Sequence, residues 1–210
     1  MKKFTLYLII CVCILCSCDD KGKKTNSVLL DQDKRNCYFS IKNLETKKFK
    51  GRFSGNRGEL IERDVKVYAN LIVKSNFGSV YKLEIEPTKN VSGERLILGN
   101  FYILKDKIYK IEPSENNLNK IKNNEFFSEG IIVCQEEEIP DYLGGNTKGE
   151  HRYLTVKGNK REFHMYNDRV NTGYFETYVW EKNIGLKYYK SGYGAEKDLI
   201  EIKLIEGGNG

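Results

Sequence analysis

The sequence predicts an all-β domain, mainly antiparallel, that forms a curved sheet, a half-barrel or a barrel with at most one short helix. From residue 38 onward, short segments alternate apolar and polar residues with a period of two, as strands with one buried face do. Turns rich in Gly, Asn, Asp and Lys separate these segments. The chain also contains 14 tyrosines and 10 phenylalanines, which favour strands. Many short strands joined by such turns are typical of barrels and curved sheets.

The predicted strands follow one another from residue 65 to residue 205. In order they are VKVYANLIV (65–73), SVYKLEI (79–85), NFYIL (100–104), IYKI (108–111), GIIVCQ (130–135), RYLTVKG (152–158), REFHMYN (161–167), YFETYVWEK (174–182), GLKYYKSG (185–192) and DLIEIKLI (198–205). The third and fourth form a hairpin around the charged turn 105–107. Pro87 and Pro113 each end a strand, because proline has no N–H to donate to a sheet.

One helix is predicted in SENNLNKIKNNEFF (114–127), where Ser114 is a suitable N-cap. Three asparagines before Lys120 make the segment a poor helix otherwise, so we expect one or two turns. The segment QEEEIPDYLGGNTKG (135–149) contains three glycines, a proline and an acid run. It is predicted to be a long loop or a boundary between an N-terminal and a C-terminal sheet.

The first residues of the chain have the pattern of an export signal. Lys2 and Lys3 precede an uncharged, largely apolar run over residues 4–15, which is too short for a transmembrane helix. Four cysteines lie within residues 11–18, but zinc sites usually draw spaced ligand pairs from separate loops. Cysteine also fits an apolar run as a small hydrophobe, so a metal site is disfavoured.

The tetrapeptide Leu15-Cys16-Ser17-Cys18 resembles the lipobox of bacterial lipoproteins, with an aliphatic residue three positions before the cysteine at the cut. Cys16 departs from the small residue usual at its position. The resemblance covers residues 1–18 and implies that 1–17 are a signal peptide and that Cys18 carries a diacylglycerol anchor. Two or more acyl chains anchor a protein firmly without a membrane span. The polar residues 18–36 are then predicted to be the lipidated cysteine and a flexible tether, followed by the β domain at 37–210.

The modest net charge and the predicted export together argue against nucleic acid as a partner. Removal of residues 1–17 lowers the formal net charge from +6 to about +4, an ordinary value for a solvated surface. The resemblance does not decide which membrane carries the anchored protein. Asp19 after the cysteine resembles an inner-membrane retention signal in enteric bacteria and a surface-export tag in other lineages. Cys37 and Cys134 remain in the mature chain, either as a disulfide in an oxidising compartment or as free thiols with Cys134 buried.

No motif for catalysis, metal or cofactor stands out, and none is predicted. The histidines His151 and His164 lack metal-ligand spacing, and His164 is expected on the outer face of a strand. SGYGAEKD (191–198) lacks the further residues of a nucleotide loop, which favours a turn. The acid run Glu136–Glu138 with Asp141 lacks calcium-loop spacing. It is expected in a solvated loop, with a metal contact or a basic partner as alternatives.

The strand 174–182 and its neighbour carry the best candidate for a binding surface. Alternate residues along 174–180 project to one side, where they are either a buried core or an exposed aromatic stripe that recognises a protein, a glycan or a lipid. The candidate residues are Tyr174, Glu176, Tyr178, Trp180, Tyr188 and Tyr189.

The leading functional hypothesis is a lipid-anchored, non-catalytic envelope protein. Its β domain would bind a protein, glycan or lipid, for instance as an inhibitor or immunity protein. The alternative is a carrier that holds a lipid or other apolar cargo in a curved sheet. An envelope hydrolase, which would need carboxylates to converge in the fold, is the less favoured third hypothesis.

Overall fold

The computed structural model describes residues 36–41, 45–54, 59–86, 96–125, 127, 129–144, 146, 148–170, 173–193 and 199–205. The predicted signal peptide, Cys18 and the tether up to residue 35 lie outside the described residues, as do residues 194–198 of the turn predicted at 191–198. Residues 191–193 of that predicted turn belong to a strand instead. Asn36, predicted as the last tether residue, belongs to the domain instead. It is buried, and its side chain donates to the carbonyl oxygens of Leu104 (2.7 Å) and Lys107 (3.3 Å).

The described residues form eleven strands and one short helix, so the all-β prediction is confirmed. The strands are β1 Thr46–Ser54, β2 Leu60–Lys74, β3 Ser79–Ile85, β4 Leu96–Ile103, β5 Lys107–Ile111, β6 Ile131–Gln135, β7 Glu150–Lys157, β8 Lys160–Asn167, β9 Tyr174–Glu181, β10 Gly185–Tyr193 and β11 Ile200–Leu204. Helix α1 spans Glu115–Lys122, and Ser114 caps it by accepting from the backbone N–H of Asn117 at 3.2 Å. None of the described helices is both long and apolar enough to cross a membrane.

All eleven strands belong to one antiparallel sheet that curls into a nearly closed barrel. The order is β6-β5-β4-β3-β2-β1-β11-β10-β9-β8-β7, so strands adjacent in sequence pair with each other except β6 and β7, and β11 pairs with β1. In that last pair Phe49 lies opposite Leu204 and Phe53 lies opposite Ile200. The edge strands of the sheet are therefore β6 and β7, which the segment 136–149 connects.

The segment 136–149, whose described residues are 136–144, 146, 148 and 149, runs along the free edge of β7, and we call it the seam. Ile139 and Leu154 of β7 exchange two backbone hydrogen bonds of 3.0 and 2.9 Å. On either side of this bridge a carboxylate accepts a β7 backbone N–H: Glu138 from Val156 (3.1 Å) and Asp141 from Arg152 (3.0 Å). The acid run thus covers the exposed edge of β7, and the seam lies within one sheet.

Aromatic and aliphatic side chains fill the barrel interior. The largest fully buried side chains include Trp180, Tyr178, Phe49, Phe53, Phe101 and Phe163. The rings of Phe101 and Trp180 meet edge to face with centroids 5.5 Å apart. The Phe53 ring packs closely over Gly51 of β1, where a Cβ would lie only 2.5 Å from the ring. This packing therefore needs glycine at position 51. A smaller core lies outside the barrel, where Ile121 of α1 packs against Val80 and Tyr102.

Residues 36–41 pack across the end of the barrel at which β1 begins, and we call them the plug. Tyr38, Phe39 and Ile41 are buried there, and the Phe39 ring lies 4.9 Å from that of Tyr81. The backbone N–H of Asn183 in the β9–β10 turn donates to the Cys37 carbonyl at 2.6 Å. The opposite end, at which β9 begins, we call the far end.

Candidate functional site

The predicted aromatic surface on β9 and β10 is mostly interior, so its exposed alternative is wrong. Trp180 and Tyr178 are 0% exposed, Glu176 is 1% exposed and Tyr189 is also buried. The remaining two candidates, Tyr174 and Tyr188, are half-buried. The physical reason is topology: β9 and β10 have neighbours on both sides in the sheet, and the row with the largest side chains faces the core.

Within this buried row, Glu176 is the centre of a polar network. Lys110 of β5 donates to both of its carboxylate oxygens, at 2.7 and 2.5 Å. The hydroxyls of Tyr178 and Tyr174 donate to Oε1 at 2.7 and 3.0 Å, and the hydroxyl of Tyr189 lies 3.3 Å from Oε1 and 2.8 Å from Oγ of Ser191. Burial, with the charge of Glu176 next, raises the pKa of all three tyrosines, so they remain donors. A carboxylate accepts about four hydrogen bonds, so the network occupies Glu176 and favours a structural role.

An aromatic row does face outward, but on β7 and β8. It consists of His151 and Tyr153 of β7 with His164 and Tyr166 of β8, which alternate with inward-facing residues. His151 stacks on Tyr166 with centroids 4.6 Å apart, Tyr153 meets Tyr166 edge to face at 6.3 Å, and Tyr153 and His164 lie 5.0 Å apart. We call these four residues the β7–β8 row. His164 lies on the outer face as predicted, and burial lowers its pKa.

A groove of about 410 Å³ runs between this row and the seam. Its walls are Glu138, Ile139, Pro140, Asp141, Tyr153, Leu154, Thr155 and Tyr166. One side is therefore aromatic, with two tyrosine rings nearly perpendicular to each other. The other side carries two carboxylates. A concave site with apolar walls and a few polar groups is the usual form of a ligand site.

His151 ties the seam to the β8–β9 loop. Its Nδ1 lies 2.6 Å from Oδ2 of Asp141, and its Nε2 lies 2.9 Å from Oδ2 of Asp168. These hydrogen bonds, that to Asp168 first, raise the pKa of His151. Burial acts to raise the pKa of Asp141, but the backbone N–H groups of Arg152 and Gly144 and the His151 ring hold it below its usual value. Protonated His151 can donate to both carboxylates at once, which a neutral ring cannot do.

We call the contacts of His151 with Asp141 and Asp168 the clamp, and we expect it to make the seam sensitive to pH. Because the pKa of His151 is raised, the stability that its protonated ring gives the seam is fully present below about pH 6.5. That stability is lost as the pH rises through the folded-state pKa. The lowered pKa of Asp141 means that its contribution is complete above about pH 3.9 and is lost as the pH falls through its folded-state pKa. We expect amide-exchange protection of Ile139 and Leu154 to be highest between about pH 4 and 6.5. The variant His151→Gln should lose the decline on the alkaline side, and an unchanged profile would contradict the clamp.

A second cavity, of about 250 Å³, lies toward the far end and shares Tyr166 with the groove. Leu143, Met165 and Tyr174 supply apolar walls, and Arg152 supplies a guanidinium. That guanidinium donates from Nη1 to the hydroxyl of Tyr142 at 3.2 Å. Residues of the seam therefore line both the groove and this second cavity.

Cys37 and Cys134 are free thiols in the structure, so the disulfide between them is not formed. Cys134 lies inside the core, where burial raises the pKa of its thiol, and Cys37 packs at the margin of that core. The structure thus matches the alternative of two separate thiols. Across the part of the chain that the structure describes, no three His, Cys, Asp or Glu side chains are placed to hold a metal ion.

Sequence reasoning missed the β7–β8 row although the signal was present. In EHRYLTV and REFHMYN, aromatic and imidazole side chains recur with period two, opposite Leu154 and Phe163. Attention to bulk favoured β9 and β10, whose rings are larger and more numerous. The acid run was correctly placed in a loop, which joins β6 and β7. Its hydrogen bonds to the edge of β7 could not be predicted without the fold. Comparison of the chain with protein-family models, with curated proteins and with solved structures finds no match.

Proposed function

We propose that this chain is a lipid-anchored protein of a bacterial envelope whose β domain binds a partner protein on the outer face of β7 and β8, without catalysis. The observation that carries the proposal is the outward β7–β8 row beside a groove of about 410 Å³. Tyrosine is among the residues enriched in protein-binding surfaces, because it offers a rigid ring and a polar tip. The lipobox-like segment supports the anchor.

The packed interior supports binding at the surface rather than inside the barrel. Phe101, Tyr178 and Trp180 meet one another near the middle of the barrel, with centroids 5.5 to 6.3 Å apart. The plug adds Phe39 to this group from one end. A cargo molecule held there would have to displace rings that contact each other closely, which protein interiors resist.

The proposal is tested in intact cells that carry a photo-crosslinking amino acid at a single position. With the crosslinker at Tyr166 in the groove wall, we expect a discrete adduct whose partner is identified by mass spectrometry. The same crosslinker at Phe77, which is 59% exposed in the β2–β3 turn, is the matched control. A second change, Tyr153→Ala, should weaken the Tyr166 adduct because the two rings form one wall.

The anchor is read out in the same cells with a fatty-acid probe. The chain should incorporate the probe, and Cys18→Ala should not. Equal adducts at Tyr166 and Phe77 would refute the binding face. Label that persists in Cys18→Ala would refute the anchor.

A further inference from the structure

The groove beside β7 has the chemistry of a site for a positive charge. Tyr153 and Tyr166 form two walls at 85° to each other, and an aromatic ring face attracts cations through its quadrupole. The facing walls carry the carboxylates of Glu138 and Asp141. Two aromatic walls and a carboxylate are also the elements of the cages that hold alkylammonium groups.

The residues that line the groove carry two carboxylates and no cationic side chain. Asp141 and Asp168 share the single positive charge of His151, and Glu162 is paired with Lys157 at 2.6 Å. Glu138 accepts the backbone N–H of Val156, and the structure pairs it with none of the described cations. His164, at the end of the row, has a lowered pKa and adds no charge at neutral pH. The carboxylate of Glu138 is thus available to an incoming cation.

We infer that the groove receives a lysine or arginine side chain presented by the partner protein. This inference rests on the proposed function and names the chemistry that the binding face recognises. An anionic group would meet Glu138 and Asp141, which disfavour it. An uncharged apolar group would gain from the rings but would leave the carboxylates without a new partner. A basic side chain uses both walls, since its methylenes pack on the rings while its charge meets Glu138.

The test uses the full-length chain in detergent and two short peptides in an NMR titration. The peptide acetyl-Gly-Ser-Lys-Ser-Gly-amide carries its one positive charge on the lysine, and the same peptide with acetyl-lysine lacks that charge. Because cation–aromatic attraction is modest at a partly exposed site, we expect the charged peptide to bind about fivefold to tenfold more tightly. Shifts should map to residues of the groove. Raising the salt concentration should reduce the difference.

Variants of the groove locate the effect. Tyr153→Leu, Tyr166→Leu and Glu138→Gln should each reduce binding of the charged peptide toward that of the acetylated one. Tyr193→Leu is the control, because Tyr193 is 49% exposed but lies at the end of β10, outside the groove. Urea midpoints confirm that each variant is folded, so a loss of binding is not a loss of structure.

A third probe separates a protein side chain from a free amine. Choline is compared with 3,3-dimethylbutan-1-ol, which has the same shape but no charge. If choline binds and the lysine peptide does not, the groove takes a small quaternary amine and the inference is wrong. Equal binding of charged and neutral probes also overturns it. A crosslinked partner at Tyr166 together with equal peptide binding would refute this inference alone, whereas the reverse result would refute the proposed function.

Discussion

Replacing Lys110 by methionine is expected to destabilise the domain by about 3 to 5 kcal/mol, because it leaves the Glu176 carboxylate buried without its cation. Glu176 is 1% exposed, and Lys110 contacts both of its oxygens. The three tyrosine hydroxyls that remain satisfy hydrogen bonds but carry no charge. Urea unfolding monitored by tryptophan fluorescence measures the effect, since Trp180 is the only tryptophan of the chain.

The double variant Lys110→Met/Glu176→Gln is the control for this prediction. It removes both charges, and replacing a buried ion pair by neutral groups is often close to neutral in stability. The double variant should therefore recover most of the stability lost in Lys110→Met. If the single variant costs less than about 1 kcal/mol, the pair is solvated like a surface salt bridge and the network does not stabilise the interior.

Replacing Trp180 by alanine should cost about 3 to 5 kcal/mol, the range for large aromatic side chains in cores. Trp180 is 0% exposed and lies in ring contact with Phe39, Phe101 and Tyr178. Its indole N–H has no acceptor among the described residues, so the loss comes from packing and the cavity rather than from a hydrogen bond. Circular dichroism must follow the unfolding, because the variant lacks the tryptophan signal.

Two further variants set the scale for Trp180. Phe77→Ala removes an exposed ring and should change stability by no more than about 0.5 kcal/mol. Phe39→Ala tests whether the plug shares the same core, and its cost should be several times that of Phe77→Ala. A Trp180→Ala cost close to that of Phe77→Ala would mean that the barrel interior is not tightly packed.

The strands of this fold were largely predictable, because nearly every one carries an alternating pattern with one apolar face. Nine of the predicted segments overlap β2 and β3 and the strands from β5 to β11, and NFYIL overlaps the end of β4. The Ser114 cap also placed α1 correctly. The strand β1 was missed, since TKKFKGRFS carries lysines and a glycine that conceal the inward pair Phe49 and Phe53. Its strand character depends on pairing with β2 and β11 on both sides.

The candidate site could not be predicted from the same pattern. Alternation shows which residues share a face, but it does not show which face meets the core when both carry large side chains. In β9 the inward row contains Trp180 and Tyr178, and the outward row contains Phe175 and Val179. Asp141 bonds to His151 and Arg152, which are 10 and 11 positions away in sequence. Only the folded sheet brings these residues together.

The pairing of β11 with β1 has a consequence for how the domain folds. β1 lies between β2 and β11, so its second neighbour is supplied only once residues 200–204 have been synthesised. Until then the edge of β1 opposite Ile200–Leu204 offers unpaired backbone groups, and contacts this distant in sequence form slowly. Completion of the sheet therefore depends on β11. A chain truncated before β11 would persist as an open sheet, exposed to pairing with other chains and to proteolysis.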